Sequence, residues 1–304
     1  EPLVRSSGGG ATIHGYDCII SRENLYEAWK GFVKGKKYKK DVADFSLKLD
    51  SRLRDIHYSL KLGTYTHGSY IHFRIADPKP RDIHKALVKD RLVHHLLYNA
   101  LYPYFDRKFI FDSYSCRDNK GTHRAVERFR TFIQKVGKNN TKTVWVLKCD
   151  VRKFFASIDH EILFSVLGRH IEDDQLIRLL KNIVHSFNGQ SGKGLPLGNL
   201  TSQLLVNMYM NEFDQYVKHT LKIKYYIRYA DDFVFLSTDK KELENLLPVL
   251  ISFLEENLKL TLHPDKVFIK TIASGVDFLG WVTFPTHCVP RTSTKKRMIK
   301  RLTK

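Results

Sequence analysis

The chain of 304 residues carries 51 Lys and Arg against 32 Asp and Glu, a formal net charge of +19 at pH 7. Its length excludes a mini-domain, its 42% hydrophobic content argues against general disorder, and its 4 scattered cysteines exclude a disulfide scaffold or a cysteine-based zinc site. Because each neutralised phosphate releases counterions, this charge predicts a nucleic-acid partner, and with no apolar run long enough to span a bilayer we expect a cytoplasmic protein and no membrane partner.

The first half of the chain predicts helices around one extended region. Residues 1–15 are expected to be a disordered, tag-like N-terminus, and a helix capped by Ser21 follows. The spacing of apolar residues predicts a second helix over 44–62, and a strand is predicted over 70–75. After a Pro-bounded turn, a helix rich in Leu and His is expected over 89–102.

The second half mixes strands and helices. The β-branched stretch TVWVLKCD predicts a buried strand over 143–150, and 192–198 forms a Gly/Pro loop. The segment 222–237 predicts a hairpin with acidic residues at its tip. Other predicted elements are helices from about His160, over 201–218 and over 240–258, a strand over 260–262 and a hairpin around 267–282. Strict βαβ alternation is missing, so the predicted fold class is α+β.

Three carboxylates stand beside the predicted β-structure. Asp150 closes the apolar strand, and Asp231 and Asp232 occupy the hairpin tip. A lone Asp in a turn is usually only a turn former. Burying several carboxylates is costly, however, unless they are paired or bind metal. If strand and hairpin are neighbours, Asp150 and Asp231 meet at one edge of the sheet. There they could hold two Mg²⁺ ions roughly 3.5–4 Å apart for phosphoryl transfer. Mg²⁺ is expected because the ligands are hard oxygens.

The same residues resemble the motifs of a known family. Tyr229-Ala230-Asp231-Asp232 resembles the YxDD box of reverse transcriptases, and Asp150 followed five residues later by Phe155 resembles their first catalytic motif. Three more segments resemble, in order, the loop that contacts template and nucleotide and the two motifs after the YxDD box: GLPLGNLTSQ at 194–203, Lys266 in LHPDKVFI, and Phe278-Leu279-Gly280-Trp281. Order and spacing agree over roughly residues 20–290.

This resemblance implies an RNA-directed DNA polymerase that adds dNTPs to the 3′ end of a DNA or RNA primer on an RNA template. It implies two Mg²⁺ ions, for which Mn²⁺ could substitute. The implied metal ligands are Asp150, Val151, Asp231 and Asp232, and the implied catalytic residues are Asp150, Asp231, Asp232 and Lys266. The implied nucleotide-binding residues are Lys79, Arg81, Phe155, Leu197, Gly198 and Gln203. The implied template and primer contacts are Arg91, Arg117, Lys120, Ser202, Tyr229 and Gly280.

Several of these roles have a structural alternative. Phe155 would press on the sugar of the incoming nucleotide and exclude a 2′-hydroxyl, or it is an ordinary core aromatic. Lys79 and Arg81 would grip the triphosphate, or they belong to a solvated basic turn. Lys266 would protonate the leaving pyrophosphate, or it is a surface lysine after a turn.

The resemblance also implies a right-hand polymerase, with an antiparallel palm sheet backed by helices. N-terminal helices and fingers would occupy 16–142, and an insertion in the fingers 163–193. The palm would occupy 143–162 and 194–285, and a short or truncated, basic thumb would begin in 286–304.

One departure indicates a subtype. Leu197-Gly198 and Ser202-Gln203 stand where most reverse transcriptases have Gln-Gly and Ser-Pro, and this variant resembles the enzymes of diversity-generating retroelements, which act in mutagenic retrohoming. A Gln at position 197 could help to check base-pair geometry and Leu cannot, so a looser nucleotide pocket is expected, and the resemblance implies errors at template adenines; alternatively, Leu197 only packs in the turn. The resemblance implies a small, basic, ring-forming accessory protein as a partner.

Other functions stay open at this point. Retron, group II intron-like and defence-associated reverse transcriptases share the core motifs. An RNA-dependent RNA polymerase is a rival within the enzymes, although it usually carries a polar residue at the position of Phe155. A non-catalytic RNA-binding relic of a polymerase is the rival from another class.

Overall fold

A computed structural model describes residues 13–76, 80–187 and 192–303. Its helices, in chain order, are α1 (Tyr16–Ile19), α2 (Arg22–Val33), α3 (Lys40–Ser46), α4 (Leu49–Lys61), α5 (Val88–Asp106), α6 (Thr122–Val136), α7 (Phe154–Ser157), α8 (His160–Gly168), α9 (Asp174–His185), α10 (Leu200–Gln215), α11 (Lys240–Leu258) and α12 (Thr292–Leu302). Its strands are β1 (Ile71–Ile75), β2 (Arg81–Lys85), β3 (Trp145–Asp150), β4 (Tyr226–Tyr229), β5 (Asp232–Ser237), β6 (Phe268–Thr271), β7 (Val276–Phe278), β8 (Trp281–Thr283) and β9 (Cys288–Pro290).

The chain divides into two compact units. The first comprises Glu1–Phe109 and Phe155–Tyr209, and the second comprises Ile110–Phe154 and Met210–Lys304. The boundaries of these units differ from the predicted limits of fingers, palm and thumb. The assignment of residues to fingers, palm and thumb stays a prediction. In the described ranges, no helix combines the length and the apolar composition needed to cross a membrane.

The first unit is mainly helical. Helix α2 starts as predicted, because the Ser21 hydroxyl accepts a hydrogen bond from the Asn24 amide at 3.3 Å. Its residues Leu25, Trp29 and Phe32 recur at helical spacing, are buried, and lie on a helix that packs against α5. The Trp29 ring also stacks on Phe45 of α3, with centroids 5.2 Å apart. An apolar stripe on α2 therefore organises the N-terminal helices.

A four-stranded antiparallel sheet, in the order β4-β5-β3-β6, forms the centre of the second unit. Because side chains alternate along a strand, β5 serves both faces of this sheet. Val234 and Leu236 join the cluster that includes Phe129 of α6. Phe233 and Phe235 contact Tyr226 on the other face, and Phe233 also contacts Phe213 near the end of α10. The sheet is thus packed on both sides, and its acidic end is held by two hydrophobic layers.

The helix predicted over 44–62 is two helices. Lys48 has φ −125° and ψ 39°, a conformation outside the α-helical region, so α3 and α4 are separate. The sequence shows no Gly or Pro here, and the neighbouring Leu47 is 84% exposed, so the apolar spacing was misleading.

The hairpin predicted around 267–282 and the strand over 260–262 are wrong. Strand β6 pairs with β3, whereas β7 pairs with β8 in a separate three-stranded sheet, β7-β8-β9. A 3₁₀ turn at Ile272–Ser274 and Gly275, at φ +79°, separate the two sheets. The stretch 260–262 contributes only an isolated bridge between Leu262 and Val151. Helix α6 was not predicted at all.

Candidate active site

Strand register brings two of the predicted catalytic acids together. In the antiparallel pairing of β3 with β5, Asp150 lies directly opposite Asp232. Opposed residues of such a pair point to the same face, and side chains two residues apart share that face. Lys148 therefore lies on the same face as both acids. Strand and hairpin are neighbours as predicted, but the register places Asp232, and not Asp231, opposite Asp150.

Backbone hydrogen bonds fix the end of the strand. The Val151 amide donates to the Asp231 carbonyl at 3.1 Å, and the His263 amide donates to the Asp150 carbonyl at 2.7 Å. Val151 is 2% exposed and bridges Leu262. Both neighbouring segments thus hold the residues around Asp150 in place by main-chain contacts, independently of the acid side chains.

A buried arginine supports the turn that carries Asp231 and Asp232. Ala230 has a left-handed φ of +56°, which a non-glycine residue adopts at a cost. The Arg228 side chain, 0% exposed, donates to the Ala230 carbonyl at 3.1 Å and to both Asp214 oxygens at 2.8 and 2.6 Å. Tyr226 also donates to Asp214, at 2.7 Å. The turn is thus held by an arginine whose buried charge is paired with Asp214 and is not isolated.

Two lysines neutralise the acids. The Lys266 Nζ lies 2.6 Å from Asp150 Oδ1, and the Lys148 Nζ lies 3.2 Å from Asp232 Oδ2. Lys148 also donates to the Asp277 carbonyl at 2.9 Å. Burial raises the pKa of Asp232 to about 7; Lys148 opposes this shift, and the charges of Asp150 and Asp231 add to it. Close carboxylates that resist simultaneous ionisation are a typical feature of sites that receive cations.

The donor atoms of this cluster fit a hard divalent cation. Asp232 Oδ1 is buried, and no described residue provides it with a hydrogen-bond partner. A buried oxygen with an unused lone pair suits a metal ligand, and carboxylate oxygens are what Mg²⁺ prefers. As the side chains stand, no group of three His, Cys, Asp or Glu residues in the described ranges forms a complete metal-binding cluster. Lys148 and Lys266 each contact one carboxylate oxygen of the pair.

The predicted nucleotide loop lies in the first unit. The Leu195 amide donates to the Phe155 carbonyl at 2.8 Å, and the His84 amide of β2 donates to the Leu197 carbonyl at 3.1 Å. Gly198 has φ +108°, and a Cβ there would lie 2.9 Å from the Ile83 side chain. Only glycine fits this close approach without strain. The loop is therefore tied to β2 by backbone contacts, while the Phe155 and Leu197 side chains stay partly exposed.

Arg81, Gln203 and Ser202 occupy different settings in the same unit. Arg81 is exposed on β2, and Lys79 lies outside the described residues. Gln203 is half-buried in the first turn of α10, where its amide donates to the Asn199 carbonyl at 3.3 Å. Ser202 is only 2% exposed, so its side chain is covered in this arrangement.

The remaining predicted template contacts are engaged with the protein itself. Arg91 forms an ion pair with Asp41 at 2.6 Å. Arg117 donates to the carbonyls of Ile110 and Ser113, and Lys120 donates to the carbonyl of Phe111. The Tyr229 hydroxyl accepts a hydrogen bond from the Thr122 hydroxyl. The Gly280 carbonyl accepts one from the Arg291 backbone amide. These contacts explain how each residue is held, and the template roles stay predictions.

Sequence reasoning missed Lys148. A lysine in the middle of the buried stretch TVWVLKCD needs an anionic or carbonyl partner, and the nearest acid on the same face of a strand is two residues away. That pattern indicates that Lys148 pairs with Asp150 or with the residue opposite Asp150 on the neighbouring strand. The Arg228–Asp214 pair was missed as well, because the two residues lie on different elements and no local spacing connects them.

Comparison with solved structures defines the class of fold. The chain matches a telomerase structure from Candida albicans, solved with a fragment of telomeric RNA, at TM-score 0.54 and 11% identity over 80% of this chain and 51% of that one. It matches an apo telomerase from Candida tropicalis at TM-score 0.53 and 12% identity, over 78% and 59% of the two chains. The predicted α+β polymerase fold is confirmed.

Sequence comparison then defines the family. A profile described as "Reverse transcriptase (RNA-dependent DNA polymerase)" matches residues 77–283, more than half of the chain. The chain belongs to the reverse transcriptase family, as its motifs predicted, and members of this family generally use divalent metal ions.

Curated relatives are distant and longer. Protein YkfC of Escherichia coli K12 is 27% identical over 64% of this chain and 60% of its own length. The group II intron-encoded protein LtrA of Lactococcus lactis is 22% identical over 86% of this chain and 54% of its own. The retron Ec83 reverse transcriptase of Escherichia coli is 28% identical over 68% and 61%. The chain thus spans 60% or less of YkfC and LtrA.

Proposed function

We propose that this chain is an RNA-directed DNA polymerase that adds dNTPs to a primer 3′ end on an RNA template. The observation that carries the proposal is the pairing of Asp150 with Asp232 across β3 and β5, with Asp231 next in the chain. Both strands lie inside the segment that matches the reverse transcriptase family. The basic composition, with a formal charge of +19, suits a polyanionic template and primer.

Asp150, Asp231 and Asp232 would hold the divalent ions, together with the main-chain carbonyl of Val151. Two bound Mg²⁺ ions, or Mn²⁺ in their place, would supply charge to activate the primer hydroxyl and to neutralise the leaving pyrophosphate. The buried Asp232 Oδ1, which has no hydrogen-bond partner among the described residues, is the donor atom that favours this assignment.

The two lysines have different tasks in this proposal. Lys148, with a side chain 11% exposed, stays with Asp232 and the Asp277 carbonyl and limits the repulsion among the acids. Lys266 has a side chain that is 41% exposed and contacts Asp150 through a single oxygen. A long side chain so exposed can leave Asp150 and bring its ammonium group to the pyrophosphate, to which it would donate a proton.

Residues of the first unit would select the nucleotide. Phe155 would exclude a 2′-hydroxyl by contact with the sugar, and Arg81 would bind the triphosphate together with Lys79. Gly198 would keep the loop close to β2, because any larger residue would meet Ile83. Backbone tethering of the loop at Leu195 and Leu197 supports a rigid pocket wall.

The test is primer extension on a defined RNA template, with wild type beside Asp231→Ala. We expect DNA product from the wild type and a rate at least about 10³-fold lower from the variant, as the removal of a charged group at the reacting centre costs this much. Equal product from both proteins would refute the catalytic assignment. No product from either, with RNA binding intact, would favour the non-catalytic relic.

The subtype we propose is a diversity-generating retroelement enzyme, cytoplasmic and working with a small, basic, ring-forming accessory protein. Leu197, in place of the usual Gln, supports it. The alternative is a retron or group II intron-like enzyme, which the names of two relatives favour. Sequencing of cDNA made on a defined RNA separates them: errors concentrated at template adenines support the proposal, and errors spread over all four bases contradict it.

A further inference from the structure

A basic pocket lies in the second unit, away from the acids. It is a concavity of about 470 Å³ at the junction of the loops that precede β3 and β4 and the end of β5. Its lining includes Lys135, Lys138, Lys142, Lys222, Lys224 and Tyr225. We call these five lysines and their concavity the lysine pocket.

The lysine pocket carries uncompensated charge. All five lysines are exposed, and within the described part of the chain none of them forms an ion pair with an acid. Glu242 is the acid at the rim, and its carboxylate accepts a hydrogen bond from Ser237. Like charges gathered around one concavity repel each other, and an anion with several phosphates would relieve this repulsion.

Its place on the sheet separates it from the carboxylates. Asp150 faces Asp232 at one end of the β3–β5 pair, and Trp145 faces Ser237 at the other. Five residues of extended strand span roughly 17 Å. Ser237 lines the lysine pocket. A ligand in the pocket would therefore bind at the far end of the strands from the catalytic acids, without contact to them.

Two further features suit a nucleic acid. The half-buried Tyr225 offers an aromatic surface within the lining, with the Lys224 ammonium 5.5 Å from its ring centroid. Lys138 and Lys222 have left-handed φ values of +46° and +55°. Gly or Asn adopts this conformation at lower cost than lysine does. The two positive charges thus stand at positions where the backbone conformation does not favour lysine.

We propose that the lysine pocket is a second RNA-binding site that holds a phosphodiester backbone apart from the primer–template. The inference rests on the proposed function only in taking RNA as the polyanion. Five cations in one concavity can contact several consecutive phosphates, and this count exceeds what a single mononucleotide needs. The site would anchor an RNA while another segment of it is copied.

The test is a salt titration of binding to a fluorescein-labelled RNA hairpin without a primer. The variant is Lys138→Gln/Lys142→Gln/Lys222→Gln, and the matched control is Lys48→Gln/Lys61→Gln/Lys181→Gln, which removes three exposed lysines outside the pocket. We expect the pocket variant to bind about tenfold more weakly near physiological salt, with a salt slope smaller by about 2 to 3, while the control changes the slope by less than about 1.

Primer extension with the same proteins keeps this inference separate from the proposed function. At saturating primer–template the pocket variant should keep the wild-type rate per site. An RNA affinity and salt slope equal to those of the control variant would overturn the second site, even if extension is normal. A tenfold loss in both variants would also overturn it, because the effect would then be one of total charge.

Discussion

The acid cluster of the second unit and the predicted nucleotide loop of the first are built by different means. Strand register places Asp150 and Asp232 opposite each other, and two lysines balance their charge. In the first unit the loop is held by backbone hydrogen bonds, and the uncharged side chains of Phe155 and Leu197 are partly exposed. Under the proposed function, the reaction would depend on fixed charges, whereas the choice of substrate would depend on the shape of a few side chains. Substitutions in the acid cluster should therefore reduce activity, and substitutions in the loop should change the choice of substrate.

Removal of Lys148 should have the largest effect on stability and would show how strongly the cluster depends on charge balance. We expect Lys148→Met to lower the free energy of unfolding by about 2–3 kcal/mol, because Asp232 would lose its partner in a mostly buried position. Urea denaturation at pH 7 measures it. Lys266→Met is the matched control: its side chain is 41% exposed, and it should cost less than about 1 kcal/mol. Equal losses would contradict the distinction between the two lysines.

Within the first unit, a buried histidine ties α5 to the start of α10 and should make the unit acid-sensitive. His94 Nδ1 lies 2.5 Å from the Thr201 hydroxyl, and its Nε2 lies 3.1 Å from that of His67. Burial, with a smaller contribution from the nearby His67 and His95, lowers the pKa of His94 from 6.5 to about 3. Below pH 6.5 the unfolded chain therefore binds a proton at His94, whereas the folded chain does not. The free energy of unfolding is not reduced by His94 above pH 6.5, and it falls as the pH drops toward 3.

At pH 5 this residue should cost about 2 kcal/mol relative to pH 7. Urea unfolding at both pH values measures the loss, with His94→Gln as the variant that keeps a polar partner for Thr201. Burial also lowers the pKa of His95, to about 4, so part of the acid sensitivity should persist in the variant. An unchanged pH dependence in His94→Gln would mean that another group titrates.

Phe155→Val should relax the choice of sugar. We expect the preference for dNTPs over rNTPs to fall by about tenfold or more, in line with what one lost apolar contact is worth. Parallel extension with each nucleotide type measures it, and the rate with dNTPs should change far less. An unaltered preference would mean that Phe155 is a packing residue, and strong rNTP use by the wild type would favour an RNA-dependent RNA polymerase.

Leu197→Gln should have the smallest effect. One added hydrogen bond is worth about 1 kcal/mol, so errors at template adenines should fall by roughly three- to tenfold. Sequencing of cDNA from both proteins measures this, with Leu195→Met as a control that keeps the loop apolar. A fall in errors at all four template bases alike would contradict the proposed role of position 197.

Local patterns predicted much of this molecule. The hairpin around Asp231 and the helix at Lys240–Leu258 follow from residues close in the chain, and both are present. The partner of β6 could not be predicted, because its pairing with β3 depends on residues more than a hundred positions away. A lysine inside a buried strand already indicates an anionic partner, but the acid that Lys148 neutralises lies on another strand, so only the register identifies it as Asp232.

Arg228 has a consequence for how the protein responds to alkali. Its guanidinium group is fully buried against Asp214 and donates to the carbonyl of Ala230, directly before the acidic pair. Arginine keeps its proton at any pH that a folded protein survives. A lysine in this place could discharge and release the bend; an arginine cannot. The support that Arg228 gives to this bend should therefore hold through the whole basic range, and under the proposed function a loss of polymerase activity at high pH would start at a group other than Arg228.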